Sequence, residues 1–171
     1  MRVYLLGFMG SGKSYWRRKL AQTLGVPGLD LDEEIVRAEG RSIATIFTED
    51  GEAAFRRLEN QYLRMLSQQP NFLLACGGGT PCNGDNMAYM NQQGLTVFLD
   101  VPAAVMAQRL RRNKQKRPLL KDLSDNELQD FIEQKMKERR PYYEQAALIL
   151  NPIVFTLERF TQKIQTCIEP T

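Results

Sequence analysis

Residues 3–14 read VYLLGFMGSGKS, four apolar residues followed directly by a glycine-rich segment. Gly7–Ser14 matches the pattern G-x-x-x-x-G-K-[ST] in full, in the strand-to-helix context that supports it. Glycines let backbone amides turn toward phosphate oxygens, and the N-terminus of the following helix adds partial positive charge. This stretch therefore predicts a nucleoside triphosphate site at the end of the first strand of an α/β domain.

Side chains in the same segment predict how the triphosphate is held. Lys13 is expected to reach the β- and γ-phosphates, and the Ser14 hydroxyl is expected to bind Mg²⁺, which bridges those oxygens. The residues expected to contact ATP here are Gly10, Ser11, Gly12, Lys13, Ser14 and Tyr15. The alternative is a glycine-rich turn without a ligand, but such turns do not need the Lys-Ser pair.

Apolar runs recur along the chain between segments with helical periodicity. They are Val3–Leu6, Val26–Leu31, Phe72–Ala75, Thr96–Leu99 and Leu148–Leu150. Strands that alternate with helices indicate a parallel sheet covered on both faces. We therefore predict an α/β fold with five parallel strands flanked by helices. The strand order 2-3-1-4-5 of a P-loop NTPase three-layer sandwich is what the resemblance to a known family, given below, implies. The length predicts a single domain over residues 1–171.

Helix signals lie between these runs. Ser124 and Glu127 form a capping box, and Pro141 is expected to end the helix that follows soon after Arg139. Gly25 is expected to end the helix after the glycine-rich segment. The expected helices cover Tyr15–Leu24, a longer segment through Phe55, Leu58, Tyr62 and Leu66, Ser124–Met136, and Phe155–Ile168.

Composition excludes several classes of chemistry. The 171 residues contain no histidine, which removes Ser-His-Asp and Cys-His triads and histidine metal sites. Cys76, Cys82 and Cys167 are odd in number and lack C-x-x-C spacing, which predicts reduced, mostly buried thiols. The short apolar start does not resemble a signal peptide, and no run of about 18 apolar residues occurs. We therefore expect a cytoplasmic protein with no membrane partner.

Two acids and three glycines follow predicted strands. In an extended chain, the spacing of Asp30 and Asp32 puts both side chains on one face, about 6 to 7 Å apart at the end of the second strand. One is then placed for a metal and the other for an incoming hydroxyl; the alternative is that Asp32 caps a helix. Gly77–Gly79 follows the third strand, where ligands of open α/β sheets bind, although a tight turn would also explain it.

A basic segment suggests an anionic ligand. Arg109–Lys121 holds seven basic residues and no acid, while the whole chain has a net charge of only +3. The alternatives are a solvated loop, or a nucleic-acid-binding protein or non-catalytic nucleotide switch that uses this segment. The small net charge and the interleaved Pro118-Leu119-Leu120 favour a closing lid over a stripe that tracks phosphates. No nucleic-acid partner is therefore expected.

Six motifs, in order from the first strand to about Leu150, together resemble the shikimate kinase family. They are GFMGSGKS at 7–14, Asp30-Leu31-Asp32, Gly51-Glu52 with Phe55-Arg56 and Glu59, Gly77-Gly78-Gly79, Arg117-Pro118-Leu119-Leu120, and Arg139-x-Pro141-x-Tyr143. The resemblance implies transfer of the γ-phosphoryl group of ATP to the 3-hydroxyl of shikimate, giving shikimate 3-phosphate and ADP in chorismate and aromatic amino-acid biosynthesis. The alternative is a related P-loop kinase for gluconate or a nucleoside monophosphate.

The resemblance also implies how shikimate is bound. Arg56 and Arg139 would hold its carboxylate, a task that suits a planar guanidinium because it can bond bidentately. Glu59, one helical turn from Arg56, would fix the rotamer of that arginine. The backbone amides of Gly77, Gly78 and Gly79 would contact the substrate, and the substrate-binding helices would cover about 32–62.

Three catalytic residues follow from the same resemblance. Asp32 would bind the ring hydroxyls and orient or deprotonate the nucleophile. Lys13 and Arg117 would stabilise charge on the transferring phosphoryl group, Arg117 from a mobile lid over about 111–124. Arg112 is expected to stack on the adenine, because guanidinium planes do so readily. Both Arg112 and Arg117 are therefore counted among the ATP-binding residues.

Ser14 and Asp30 are the expected protein residues at the Mg²⁺ site, with Asp30 acting through water. Asp100 is a competing candidate, because it ends an apolar strand as a Walker B acid does. We prefer Asp30 on the resemblance, since Asp100 lies just ahead of Pro102 and is explained as a helix-start residue. The expected partners are ATP and shikimate, and the chain is expected to act as a monomer.

Overall fold

The computed structural model describes residues 1–112, 120 and 123–168. Five strands form one parallel sheet in the order β2-β3-β1-β4-β5. They are β1 (Arg2–Leu6), β2 (Gly28–Asp30), β3 (Phe72–Ala75), β4 (Leu95–Leu99) and β5 (Leu148–Leu150). The predicted number, direction and order of the strands are confirmed.

Helices connect the strands and cover the sheet. Within the described residues they are α1 (Lys13–Leu24), α2 (Leu31–Glu39), α3 (Ile43–Glu49), α4 (Gly51–Leu66), α5 (Asn86–Gln93), α6 (Ala103–Arg111), α7 (Asp125–Tyr143) and α8 (Leu157–Ile168), with a 3-10 turn over Thr80–Cys82. The predicted helices are present, although α8 begins at Leu157 rather than at Phe155. The predicted capping box at the start of α7 is formed.

The central strand shows why both faces of the sheet are covered. Val3 and Leu5 pack with α1 and α8 on one face, whereas Tyr4 and Leu6 pack with α2, α4 and α5 on the other. All four side chains are 0% exposed, as the side-chain alternation of a strand buried on both faces requires. This accounts for the uninterrupted apolar run in the sequence and for the three layers of the fold.

The carboxyl ends of β1, β2 and β3 meet at one edge of the sheet, as parallel strands require. There β1 leads into the glycine-rich loop, β2 into α2, and β3 into the glycine turn, Gly77–Gly79. A third apolar cluster packs α6 and α7 against Phe8 and Phe98. This cluster brings α7 beside the glycine-rich loop, so elements distant in sequence converge at the same edge.

One predicted helix end is wrong. α7 continues through Pro141 to Tyr143 rather than ending soon after Arg139. Proline removes one backbone donor and crowds the preceding turn, but it lies here in the last turn of the helix. Tyr143 is fully buried, and Glu144 N donates to the Arg140 carbonyl at 2.9 Å. Burial of the last turn therefore outweighs the local preference of proline.

The cysteines are free, as predicted, but only one of them is buried. Cys76 lies in the core, Cys82 is half-buried and Cys167 is exposed. Cys167 lies on the solvent side of α8, whose buried residues are Phe160, Thr161 and Ile164. The expectation of mostly buried thiols is therefore wrong. None of the described helices is long and apolar enough to cross a membrane.

Candidate active site

The glycine-rich loop wraps around its own lysine. Lys13 Nζ donates to the carbonyl oxygens of Gly7 at 2.6 Å and Phe8 at 3.1 Å. Gly12, the residue before α1, has φ +97°, a left-handed conformation that favours glycine. The loop therefore directs the N-terminus of α1 toward the cleft, where helix N-termini bind anions.

A cleft of about 470 Å³ lies at this edge of the sheet. Most predicted site residues line it: Gly10, Gly12, Lys13, Ser14, Tyr15, Asp30, Asp32, Arg56, Glu59, Gly77, Gly78, Gly79 and Arg139. Ser11 is fully buried behind the loop and is not among the residues that line the cleft. Arg112 is exposed at the end of α6, and Arg117 lies outside the described residues, as does most of the predicted lid. Both assignments stay predictions.

Arg109 is a cleft residue that the sequence analysis did not select. Its Nη1 donates to the Gly10 carbonyl at 3.0 Å, and it lines the cleft together with Leu110. Sequence alone does not distinguish Arg109 from Arg112, because both lie in the basic segment one helical turn apart. Which of these two arginines contacts the loop is decided by the packing of α6 against it, and this packing selects Arg109.

The two acids after β2 do not share an extended segment. Asp30 ends the strand, whereas Asp32 lies in the first turn of α2. Asp30 caps that helix, because its Oδ1 accepts from Asp32 N at 3.2 Å. The predicted pair at the end of one strand is therefore wrong, and so is the alternative that Asp32 is the cap. Both carboxylates nevertheless line the cleft.

Asp32 is the most perturbed acid at the site. Its pKa is raised to about 6, first by burial and then by repulsion from Asp30 and Glu59, while Lys13 and Arg56 oppose the shift. Its Oδ1 is buried and has no hydrogen-bond partner among the described residues. A buried carboxylate oxygen without a donor is costly in a folded protein. A hydroxyl group of a ligand in the cleft would supply that donor.

The residues fit a Mg²⁺ site of the kind that ATP-using enzymes have. Ser14 and Asp30 both line the cleft and offer the oxygen ligands that Mg²⁺ prefers. Arg17 lies beside Asp30, with Nη1 3.8 Å from Oδ2, and bonds Glu33 more closely at 2.7 Å. The described residues contain no group of three or more His, Cys, Asp or Glu side chains that could hold a metal. Mg²⁺ would therefore share phosphate oxygens and water, as it commonly does.

The glycine turn needs glycine because side chains crowd its backbone. A Cβ on Gly79 would lie 2.7 Å from both Arg56 Nη atoms, and a Cβ on Gly78 would lie 3.0 Å from Arg139 Nη1. A Cβ on Gly77 would meet Asp32 Oδ1 at 3.2 Å. A Cβ on Gly77 would also meet Glu59 Oε1 at 2.9 Å, so the three glycines let two guanidinium groups and two carboxylates approach the same short stretch of backbone.

Arg56 is held mainly by a buried acid. Its Nη1 donates to Glu59 Oε2 at 2.8 Å, and its Nε and Nη2 donate to the exposed Glu52 at 3.3 and 3.2 Å. The Glu59 side chain is 1% exposed, and its other oxygen accepts from the Thr80 hydroxyl. The predicted contact between Glu59 and Arg56 is present in the structure.

Arg139 reaches the cleft from α7. Its guanidinium lies over the ring of Phe8, 5.3 Å from the centroid, and so contacts the glycine-rich loop. On the next turn of the helix, Tyr143 donates from its hydroxyl to the Gly78 carbonyl at 2.5 Å. Burial raises the pKa of Tyr143, so this hydroxyl keeps its proton at neutral pH. α7 therefore anchors the glycine turn as well as supplying an arginine.

Asp100 has a structural partner away from the cleft. Its two carboxylate oxygens accept from Arg140 at 2.8 and 3.3 Å, which ties β4 to α7. The residue before α6 is Pro102, so the explanation of Asp100 as a helix-start residue is wrong. Asp100 is not among the residues that line the cleft, whereas Asp30 is. This placement favours Asp30 as the metal residue.

Comparison with known proteins gives consistent matches along the sequence. A family model described as shikimate kinase matches residues 9–169. The shikimate kinase of Bacteroides thetaiotaomicron is 40% identical over 173 residues, which cover 99% of this chain and 99% of that protein. The shikimate kinase of Aquifex aeolicus is 42% identical over 146 residues, which cover 85% of this chain and 83% of that protein.

Solved structures agree with the sequence matches. The shikimate kinase from Bacteroides thetaiotaomicron superposes with a TM-score of 0.91 at 40% identity, over 98% of this chain and 97% of that chain. The shikimate kinase from Acinetobacter baumannii, solved in complex with shikimate, has a TM-score of 0.85 at 34% identity, over 97% of this chain and 91% of that chain. The likeness therefore covers nearly the whole fold.

Proposed function

The chain belongs to the shikimate kinase family, and from this premise we propose that it transfers the γ-phosphoryl group of ATP to the 3-hydroxyl of shikimate. It is an ATP-dependent kinase of shikimate in aromatic biosynthesis. The products are shikimate 3-phosphate and ADP. The observation that carries the finer assignment is the Asp32 carboxylate, which lines the same cleft as Lys13 and whose buried Oδ1 has no hydrogen-bond partner among the described residues. The gluconate and nucleoside monophosphate alternatives have no comparable support, because the matched family and the relatives named above are shikimate kinases.

Asp32 orients the hydroxyl that attacks and accepts its proton. With a pKa of about 6 it is mostly ionised at neutral pH, yet it is more basic than an ordinary carboxylate. Its buried oxygen gains from the acceptor the hydrogen bond that it lacks within the described part of the chain. A positioned base of this kind contributes roughly 10²- to 10⁴-fold to a rate.

Arg56 and Arg139 bind the shikimate carboxylate. Their guanidinium groups approach the glycine turn at neighbouring residues, Gly79 and Gly78, so a carboxylate there meets two planar donors. Backbone amides of the glycine turn complete the contacts to the hydroxylated ring of shikimate. Because the acceptor is held at both its carboxylate and its hydroxyl, the reacting oxygen is fixed relative to the nucleotide.

The phosphate loop holds the other substrate. Lys13 and the amides at the start of α1 bind the β- and γ-phosphates, and Arg117 stabilises charge on the group in transfer. Ser14 and Asp30 would hold Mg²⁺, which when bound neutralises charge on the phosphates. The rate enhancement thus comes from positioning and electrostatics, without a covalent intermediate on the protein.

Two further assignments concern the protein as a whole. We place its activity in the cytoplasm, where ATP is available, and we propose that it acts as a monomer. Size-exclusion chromatography with light scattering tests the second assignment, and a stable dimer at assay concentrations would overturn it.

The reaction is tested by measuring ADP release from ATP and Mg²⁺ with shikimate, gluconate or nucleoside monophosphates as the acceptor. We expect ADP release with shikimate and with none of the other acceptors. NMR of the product should show the phosphate on the 3-oxygen. Lys13→Met serves as the control for contaminating ATPase. Release with another acceptor would keep the kinase assignment and overturn the substrate, and no release with any acceptor would overturn both.

A further inference from the structure

Thr80, the first residue of the 3-10 turn, is a buried residue beside the acceptor site. It is 0% exposed, and its hydroxyl donates to Glu59 Oε1 at 2.5 Å. Glu59 Oε2 accepts from Arg56 Nη1 at 2.8 Å. One donor thus meets each oxygen of the buried carboxylate, and a continuous chain of hydrogen bonds runs from Thr80 to the guanidinium of Arg56.

The difference in burial between Glu52 and Glu59 decides which of the two acids fixes Arg56. Arg56 has a second acidic partner in Glu52, but the side chain of Glu52 is 67% exposed, and such contacts are weak. Glu59 is 1% exposed and has no water to replace a lost donor, so its orientation depends on the two groups that bond it. The rotamer of Arg56 therefore depends on the hydroxyl behind Glu59.

The backbone of Thr80 is fixed as firmly as its side chain. Thr80 N donates to the Gly77 carbonyl at 3.1 Å, which closes the glycine turn. Its own carbonyl accepts from Asn86 Nδ2 at 3.0 Å, and Asn86 is itself fully buried. Thr80 is therefore a rigid point to which both the glycine turn and the Glu59 carboxylate are attached.

We propose that Thr80 is a positioning residue for the acceptor: its hydroxyl orients Glu59, and through Glu59 it holds Arg56 where the substrate carboxylate binds. This inference rests on the proposed function, since it assigns that carboxylate to Arg56. Thr80 touches neither the nucleotide nor the reacting hydroxyl. Its loss is therefore expected to weaken shikimate binding while ATP binding and the phosphoryl-transfer step are retained.

Steady-state kinetics of Thr80→Val, Thr80→Ser and Thr161→Val test the proposal. Thr161 is a matched control because it is also buried, its hydroxyl has no hydrogen-bond partner in the described part of the chain, and it lies in α8. We expect Thr80→Val to raise KM for shikimate about tenfold, with KM for ATP and kcat within about twofold. Thr80→Ser should restore wild-type KM, and Thr161→Val should leave it unchanged. An unchanged KM in Thr80→Val, or an equal rise for both substrates, would overturn the proposal.

A second measurement does not depend on the substrate. The NMR signal of the Arg56 Nε–H group, identified by its disappearance in Arg56→Lys, reports the environment of the guanidinium. It should shift in Thr80→Val and return in Thr80→Ser; a signal that stays in place in Thr80→Val contradicts the link. If wild-type protein does not phosphorylate shikimate, the proposed function fails, and this signal still decides whether Thr80 holds Arg56.

Discussion

The cleft has two halves that are built by different means. The side of the cleft proposed for the nucleotide, here called the nucleotide half, comes mainly from one continuous stretch, Gly7–Ser14, and uses backbone groups, glycine conformations and one lysine. The acceptor half draws Asp32, Arg56 and Arg139 from three helices and attaches them to the glycine turn. Phosphate binding is thus local in the chain, whereas acceptor binding depends on tertiary packing. Substitutions in the second half should separate acceptor binding from ATP binding.

The halves also differ in their electrostatics. In the nucleotide half, the N-terminus of α1 and Lys13 face the cleft. The loop itself, Gly7–Ser14, contains no acidic residue. The acceptor half buries Glu59 and largely buries Asp32, and their mutual repulsion contributes to the raised pKa of Asp32. Such groups are stable only where donors surround them. In the free protein these buried acids therefore lower the stability of the acceptor half, and hydrogen bonds from a ligand offset that loss.

The two halves meet at Phe8 and Asp32. Arg139 of the acceptor half lies over the ring of Phe8, and Lys13 lowers the pKa of Asp32 across the cleft. Variants at the junction are the most direct way to test whether the halves can be separated.

The largest effect is expected for Asp32→Asn. An amide cannot accept the proton of the attacking hydroxyl, so kcat should fall by about 10²- to 10⁴-fold. ATP binding, measured by titration calorimetry without shikimate, should stay within about threefold, because Asp32 belongs to the acceptor half. Near-normal turnover would contradict its role, and a parallel loss of ATP affinity would contradict the division between the halves.

Arg139→Lys should produce the next largest effect. A lysine keeps the charge but loses the planar pair of donors, so KM for shikimate should rise roughly 10- to 100-fold with little change in KM for ATP. Arg140→Lys is the matched control, because Arg140 is the adjacent residue on α7 and bonds Asp100 and Glu144 instead. Equal effects of the two substitutions would show that α7 packing, and not carboxylate binding, is being measured.

The loop of the nucleotide half was predicted from the sequence, but Arg109, which contacts that loop, was not, and the acceptor half was predicted only in part. The loop was predictable because its function follows from a contiguous pattern with a single backbone solution. Asp32, Arg56 and Arg139 were found only through a family resemblance, since nothing local brings together residues so far apart in the chain. The placement of Asp32 in α2 was missed because the spacing argument assumes an extended chain, and the chain is already helical at that residue.

Other contacts could not be predicted from the sequence, although Tyr143 itself belongs to one of the motifs that carry the family resemblance. Thr80 and Tyr143 act through hydrogen bonds to Glu59 and Gly78, which exist only after the sheet and helices have packed. The choice of Arg109 over its neighbours on α6 depends likewise on where the glycine-rich loop lies. The strands themselves were predicted well because a strand that is buried on both faces of the sheet consists of consecutive apolar residues, which the sequence shows directly.

The smallest predicted effect concerns the stability of the acceptor half without ligands. Burial raises the pKa of Asp32 from 3.8 to about 6, so the folded state binds its proton more tightly than the unfolded state does. The ionised group therefore lowers stability above about pH 6, and this loss disappears as the pH falls below about 4. The two pKa values correspond to an upper limit of about 3 kcal/mol, and the opening of the cleft to water reduces it to about 1 kcal/mol.

Asp32→Asn should accordingly unfold at a temperature about 2–4 °C higher than wild type at pH 7.5, with EDTA present and no nucleotide. At pH 4.5 the difference should be clearly smaller, because the wild-type carboxyl is then protonated in the folded state, and it should vanish only toward about pH 3, where the carboxyl is protonated in the unfolded state as well. Asp130→Asn, which changes an exposed acid on α7, is the control and should show no such pH dependence. A variant less stable than wild type at pH 7.5 would mean that Asp32 is held by favourable contacts, and that the acceptor half does not trade stability for its reactive carboxylate.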